Sequence, residues 1–423
     1  MKHFSTTNAN LSQTGSNGQR VWIVSELYYP ELTSTGYFLT GIAEGLAADY
    51  DVSVLCGQPS YWARGTSAPT SEIRNGVHVQ RGPATTLDKN KVVFKFVNLI
   101  TISLSIFFSA LFRFRAGDIV IAVTNPPLLP YLMVLACRLR GARFVLLIHD
   151  VYPEIFTRLG ILTLQSIPVR VLDHASRWLY NSADRIIVLG RDMRDIVAEK
   201  LNGRRNRVVI ATNWGDTEAV FPQPLSENLL LSKLNLEGRF VVQYCGNIGR
   251  THGIEDIAEA AELLAPDPEF HFLLIGWGAK KHWAILQKQE RKLENLTILD
   301  PLSQKEFCDG LNACNVAIIS FSSGMAGISV PSRMYNVLAA GKPLLAVCDD
   351  DSELAAVVRE EEIGWVVPSG RADLIVSTLR EAKVNPERLR SMGERARRAA
   401  ETKYTSGHVL QIYESLIESL RFE

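Results

Sequence analysis

Residues 240–264, FVVQYCGNIGRTHGIEDIAEAAELL, contain one complete structural unit: an apolar run, a turn carrying Gly246, Gly249 and Gly253, and a stretch with apolar residues at helical spacing. The run is continuously apolar rather than alternating, which predicts a strand buried on both faces, and hence a parallel sheet with helical crossovers. Toward the C-terminus the same rhythm continues through FHFLLI (270–275), LTIL (296–299), VAII (316–319), PLLAV (343–347) and GWVV (364–367). Toward the N-terminus it has already occurred once, in VWIV (21–24), VSVL (52–55), DIVIAV (118–123), FVLLI (144–148) and RIIVL (185–189). The expected class is α/β, with two Rossmann-like doubly wound parallel-sheet domains in succession. The break falls in ATNWGDTEAVFPQPLSEN (211–228), where strand pattern gives way to Asn, Gly, Asp and two prolines. The expected organisation is a disordered tail over 1–19, a first domain over 20–210, a linker over 211–228, a second domain over 229–402, and a helix over 403–423 that packs on the first domain.

Of the 423 residues, 47% are hydrophobic and 21% charged, which excludes disordered, collagenous and coiled-coil chains. Net charge is zero but unevenly spread: residues 1–210 carry 23 basic and 15 acidic side chains, and the remainder 22 and 30. A membrane surface or a phosphorylated substrate is drawn to the first half more than to the second. Nucleic acid is not an expected partner, since Lys/Arg-rich blocks and zinc-finger spacings are missing. The cysteines Cys56, Cys137, Cys245, Cys308, Cys314 and Cys348 stand singly in apolar surroundings, and read as reduced, buried thiols of a cytoplasmic protein. Residues 1–19 lack the apolar core of a signal peptide.

FVNLITISLSIFFSALF (96–112) is 17 residues without charge, preceded by Lys89, Lys91 and Lys95 and followed by Arg113 and Arg115. Asn98, Thr101, Ser105 and Ser109 form a polar stripe along it. It is slightly short for a membrane span; a buried crossover helix is the first expectation and an interfacial membrane contact the second.

Neither GxGxxG after the first strand nor GxxxxGK[ST] anywhere is found, so dinucleotide and P-loop readings lose their main support. Instead a Ser/Thr/Gly turn at Thr33–Gly36 opens a helix after the first strand, where a phosphate or sugar hydroxyls are one reading and an ordinary cap the other. In the second domain Gly246 and Gly249 allow close backbone approach to a ligand, with Arg250 and His252 beside them. In GMAGISVPSRMYNVLAAGKPLLAV (324–347), Pro331 suits the first position of a helix, Ser329 or Ser332 its cap, and Arg333 its first turn, where a cation suggests a bound phosphate. The Asp349–Asp351 run reads as a solvated loop rather than a metal site.

The motifs SELYYPE, TSTGY, IHDVYPE (148–154), ADRIIVLG (183–190), TNWGD, GNIG…HG, LLIGWG (273–278) and PSRMYNVLAAGKP (331–343), in this order, resemble family 4 retaining glycosyltransferases. The likeness covers about 380 residues and is nearest to bacterial fucosyl and N-acetylfucosaminyl transferases of O-antigen, colanic acid and capsule synthesis. It implies the GT-B fold, two domains facing a cleft. It also implies that His149, Asp150, Arg250 and Arg333 serve catalysis, and that Gly246, Asn247, Gly249, His252, Gly276, Gly278, Ile328, Ser329, Ser332, Asn336 and Glu353 bind the donor. Glu31, Thr35, Gly36 and Tyr37 are then expected at the acceptor. The chain departs from the family where a Glu-X7-Glu pair is usual: Ile328 and Asn336 stand there, so the sugar would be met by backbone N–H groups of Gly327–Ser329 or by another side chain, and the ribose by Asn336 or Glu353. The usual Arg and Lys of the phosphate loop are replaced by Asn247 and His252.

The resulting expectation is a metal-independent transferase without a bound cofactor. It would take a nucleotide-diphosphate sugar, hand the sugar to a lipid-linked or oligosaccharide acceptor, and touch the anionic cytoplasmic face of the inner membrane peripherally. A catalytically silent sugar-nucleotide-binding partner of a polysaccharide assembly complex and a GT-B sugar-nucleotide epimerase are the alternatives.

Overall fold

The computed structural model describes residues 18–421 except 32, 61–66, 86 and 88–91; most of the expected N-terminal tail, together with Lys89 and Lys91, lies outside the described residues. Two compact units are present, one made of 1–147, 182–185 and 414–423, the other of 148–181 and 186–413.

In the first unit, β1 (Arg20–Val24), β2 (Asp51–Cys56), β3 (Ser71–Arg74), β4 (Val77–Arg81), β5 (Ile119–Val123) and β6 (Arg143–Leu147) lie in the order β3-β4-β2-β1-β5-β6. All pairs are parallel except β3 with β4. That hairpin turns through Asn75 and Gly76, both at positive φ, the geometry a two-residue turn needs to match strand twist. Strand order reverses between β1 and β5. After β1, Thr33 caps helix α1 (Ser34–Leu46), its Oγ1 accepting from the Gly36 N–H at 3.2 Å.

Helix α2 (Val92–Arg113) departs from the buried crossover expected of it. Ile102, Ser103, Ile106 and Ala110 are buried, whereas Val93, Phe96, Ile100, Leu104, Phe108 and Phe112 are exposed. The polar stripe faces protein. Asn98 Oδ1 accepts from Leu87 N–H at 3.0 Å and from Thr85 Oγ1 at 2.8 Å, Asn98 Nδ2 donates to Leu87 O at 2.9 Å, and Ser105 lies against Gly82. Satisfying those side chains with the 82–87 segment turns the apolar face outward. Helix α3 (Leu129–Arg140) packs beside α2.

In the second unit, all of β7 (Arg185–Val188) but its first residue pairs in parallel with β8 (Val208–Ile210). A six-stranded, wholly parallel sheet follows, made of β9 (Phe240–Cys245), β10 (Phe270–Ile275), β11 (Leu296–Leu299), β12 (Val316–Ser320), β13 (Leu344–Val347) and β14 (Gly364–Val367) in the order β11-β10-β9-β12-β13-β14. Its apolar continuity has a direct cause. Val241, Leu273, Ala317, Ile319 and Ala346 point into a core closed by Met334, Tyr335 and Leu338, while Val242, Phe272, Leu274, Ile318 and Leu345 point into one closed by Ile254, Ile257, Ile375 and Leu379. Each large side chain so buried contributes about 2 kcal/mol. The chain winds outward on one side from β9 and on the other from β12, so the switch point lies between them, where loops after parallel strands leave a crevice for ligands.

Candidate active site

The loops after β9 and β12 meet at this switch point. Gly246 sits at φ 140°, Gly276 at 151° and Gly278 at 149°. A Cβ on Gly276 would stand 1.9 Å from Gly246 O, and one on Gly278 2.4 Å from Ile248 O. Only glycine lets the 245–249 and 276–280 loops close on each other. They do so through Gly246 N–H to Ile275 O (2.8 Å), Ile248 N–H to Trp277 O (2.7 Å) and Lys280 N–H to Ile248 O (3.0 Å).

Arg333 begins the helix Arg333–Ala339 and reaches across to this loop. Its guanidinium carbon would be 3.3 Å from a Cβ on Gly246 and lies 4.5 Å from the centre of the Tyr244 ring. Nη2 donates to Asn247 O at 3.1 Å and meets His252 Nε2 at 2.7 Å. Nη1 is buried and has no hydrogen-bond partner among the described residues. Ser332 precedes this helix but its side chain makes no cap hydrogen bond, and Pro331 lies before the helix rather than at its first position.

His252 is buried, stacked on Phe321 with ring centres 5.1 Å apart. Burial, reinforced by the Arg333 charge, holds its pKa well below the ordinary histidine value, so the ring is neutral. Gly249 N–H approaches Nδ1 at 3.2 Å while Arg333 approaches Nε2. A neutral imidazole accepts at one nitrogen only. Donors thus outnumber acceptors here, an arrangement completed by an anion. Arg250 is exposed beside the loop, with no hydrogen bond or ion pair of its side chain among the described residues.

His149 and Asp150 follow β6 and are half-buried. Burial pushes His149 down to about 4 and Asp150 up to about 6, the latter opposed by a hydrogen bond with Ser329. Val151 N–H donates to Ile328 O at 3.2 Å, which ties this segment to the loop after β12.

That loop is fixed from behind by carboxylates that the sequence reading passed over or read otherwise. Asp192 Oδ2 accepts from Gly327 N–H at 2.8 Å and from Glu353 N–H at 2.9 Å. Asp349 accepts from Gly324 N–H at 2.8 Å and Ala326 N–H at 3.0 Å, so the first member of the Asp run is a structural pin rather than a solvated residue. Ile328 is 2% exposed within the core, and its N–H is spent on Met325 O at 3.1 Å. The expected sugar contact through Gly327 and Ile328 N–H groups is therefore corrected: both are already bonded. Glu353 is engaged as well: Arg191 Nε reaches its Oε2 at 3.0 Å and Nη2 its Oε1 at 3.1 Å. Asn336 is half-buried, with no side-chain hydrogen bond among the described residues.

In the first unit Glu31 is buried and accepts from Ser60 N–H, pinning the turn that Gly36 lets close: a Cβ on Gly36 would lie 2.6 Å from Glu31 O. Thr35 is half-buried and Tyr37 exposed. Among the described residues no group of three His, Cys, Asp or Glu could hold a metal ion.

Residues 35–214 match the glycosyl transferase 4-like domain and residues 228–399 the glycosyl transferases group 1. This chain belongs to the family 4 glycosyltransferases. It is 40% identical over 261 residues to the probable glycosyltransferase WbjE of Pseudomonas aeruginosa, a match covering 60% of this chain and 64% of that one, just under two thirds of its length. To the putative colanic acid biosynthesis glycosyl transferase WcaI of Escherichia coli K12 it is 26% identical over 375 residues, 85% of this chain and 91% of that one. The structure of Anabaena HepE in complex with UDP and glucose shares the fold, with TM-score 0.72 and 13% identity over 95% of this chain and all of that one. The two parallel-sheet domains are those of the GT-B glycosyltransferases, as the sequence implied.

Proposed function

We propose that this glycosyltransferase moves a sugar, fucose-like or N-acetylfucosamine-like, from a nucleotide-diphosphate sugar to a lipid-linked or saccharide acceptor in the synthesis of a bacterial surface polysaccharide. The observation that carries the donor half of this reading is the buried, unpartnered Nη1 of Arg333 above Gly246, in a cluster with more donors than acceptors. A diphosphate supplies the missing acceptors and the countercharge. The likeness to a putative colanic acid biosynthesis glycosyl transferase supports the product class.

In the reaction, the bond from the sugar's anomeric carbon to the diphosphate oxygen breaks as a bond to the acceptor oxygen forms on the same face. The acceptor's proton passes to the departing phosphate. Charge grows on the leaving group, where Arg333 and the exposed Arg250 stabilise it. His149, neutral, and Asp150, held by Ser329, orient the sugar, and Asn336 offers hydroxyl contacts from its unspent amide. With fixed cations at the diphosphate, no divalent ion is called for. The protein works in the cytoplasm, in peripheral contact with the anionic inner-membrane surface.

Calorimetric titration of the purified protein with UDP, GDP and their sugars, with and without EDTA, tests the donor site. Binding of one nucleotide class, unchanged by EDTA and lost in Arg333→Ala, is expected. Binding by none overturns the donor site, binding without transfer to any acceptor favours the silent partner, and a sugar converted without acceptor favours an epimerase. Proton NMR of the product then reads the anomeric configuration, where inversion would overturn the retaining assignment.

A further inference from the structure

Helix α2 carries its amphipathicity inside out. Asn98 and Thr101 are bonded to Thr85 and Leu87 and its inner residues Ile102, Ser103, Ile106 and Ala110 are buried, while Val93, Phe96, Ile100, Leu104, Phe108 and Phe112 face outward. At 100° per residue these six span one continuous arc of about 160° along about 29 Å of helix. Phe96 is 61% exposed and Phe112 84%, and neighbouring α3 adds exposed Leu135 and Leu139. An aromatic-rich apolar strip of this length marks an interaction surface rather than scattered exposure.

Its occupant follows from the surrounding charge. Residues 89–140 contain seven basic side chains and one acidic, Asp118. Asp118 is buried against Trp22 and Arg20, whereas Lys95, Arg113, Arg115, Arg138 and Arg140 are exposed. A second copy meeting this face about a two-fold axis would bring the two basic rims together, which is repulsive. An apolar strip rimmed by cations instead matches an anionic bilayer, with the rings at the headgroup–acyl boundary and the long cationic side chains reaching the phosphates.

We infer that α2 is an in-plane membrane-docking helix: the Phe96–Phe108–Phe112 face enters the interface of an anionic bilayer while the opposite face stays packed on the first unit. The helix does not cross the bilayer, because a span would strip Ile102, Ile106 and Ala110 from their packing and Asn98 from its three hydrogen bonds. The inference names the surface for the peripheral contact proposed above and stands apart from the transfer chemistry.

Flotation of the full chain with phosphatidylcholine vesicles and with phosphatidylcholine–phosphatidylglycerol vesicles, at low and high salt, tests it. Expected is binding to the anionic vesicles at low salt, release at high salt, and a loss of at least about tenfold in Phe96→Ser/Phe108→Ser/Phe112→Ser with unchanged thermal stability. Arg113→Gln/Arg115→Gln should weaken binding and flatten its salt dependence. Absence of wild-type binding, or equal binding by the triple variant, overturns the inference. Binding that survives high salt and alkaline carbonate means a span instead. A wild-type dimer that becomes monomeric in the triple variant, without vesicle binding, assigns the face to a second copy. Nucleotide titration of the same samples reads the donor site separately, so either proposal can fail alone.

Discussion

Arg333 is held over Gly246 by a neutral acceptor, His252, and the pair sets the charge that a diphosphate meets. A charged hydrogen bond contributes about 1.5–3 kcal/mol, so Arg333→Ala should weaken nucleoside diphosphate binding on the order of 10- to 100-fold by calorimetry. His252→Gln keeps a neutral acceptor and should stay near the wild type, whereas His252→Ala leaves Nη2 misplaced and should lose on the order of tenfold. Equal losses in both His252 variants would remove the acceptor role. His149 and Asp150 make a second residue-scale pair, with opposite signs. The folded His149 resists protonation until about 4, so its contribution is present above the unfolded value of 6.5 and is lost as pH falls. Folded Asp150 takes its proton near 6, before the unfolded chain does near 3.8, and so gains stability over the same fall. The two nearly offset. Asp150→Asn removes the gain, and urea unfolding should show it losing about 1 kcal/mol more than wild type between pH 7 and pH 5.

Elements behave differently from residues because their fit depends on backbone approach. The 245–249 and 276–280 loops close through two glycines, and Gly276→Ala puts a Cβ 1.9 Å from Gly246 O at a φ of 151°. The loops must part, so thermal unfolding should show a loss of about 3 kcal/mol or more and titration no nucleotide binding; a stable, binding variant would show that the closure is dispensable. Gly246 was legible in the sequence as part of a turn after a buried strand, whereas Gly276 and Gly278 were named only through the family resemblance and their closure on the 245–249 loop was not read. Continuous apolar runs likewise identified both β9–β14 and β1, β2, β5, β6 and β7. The hairpin β3–β4 went unread although Asn75-Gly76 marks it, because its strands are short and its run is half polar. Asp192 went unread for another reason. Its partners, Gly327 and Glu353, lie 135 and 161 residues away, and no local spacing encodes such a bond. The same distance hid the commitment of Glu353 to Arg191, and the outward turn of α2 depends on the 82–87 segment rather than on the helix's own pattern.

At the scale of the molecule, sequence rhythm marks two sheets but not which segments share a compact unit. Residues 148–181 and 186–210 precede the linker in sequence and yet group with the second sheet: Val151 binds the loop carrying Ile328, and Asp192 binds Gly327. The second unit therefore contains His149, Asp150, the glycine loops and Arg333 together, while α2 belongs to the first. A ligand that binds only the folded state raises the free energy of every opening that releases it, by about 2.7 kcal/mol at a hundredfold excess over Kd. Hydrogen exchange of the wild type with saturating nucleotide should then slow the amides of 244–253, 276–280 and 324–336 on the order of tenfold or more. Amides of β5 and β6 in the first unit touch none of these loops and should exchange at unchanged rates. Protection confined to the first unit would place the donor there and remove Arg333 from the site, whereas protection of both sets would mean that the nucleotide couples the units. Adding anionic vesicles in place of nucleotide should reverse the pattern, slowing 93–113 and leaving 244–253 unaltered, since the docking face and the donor loops belong to different units.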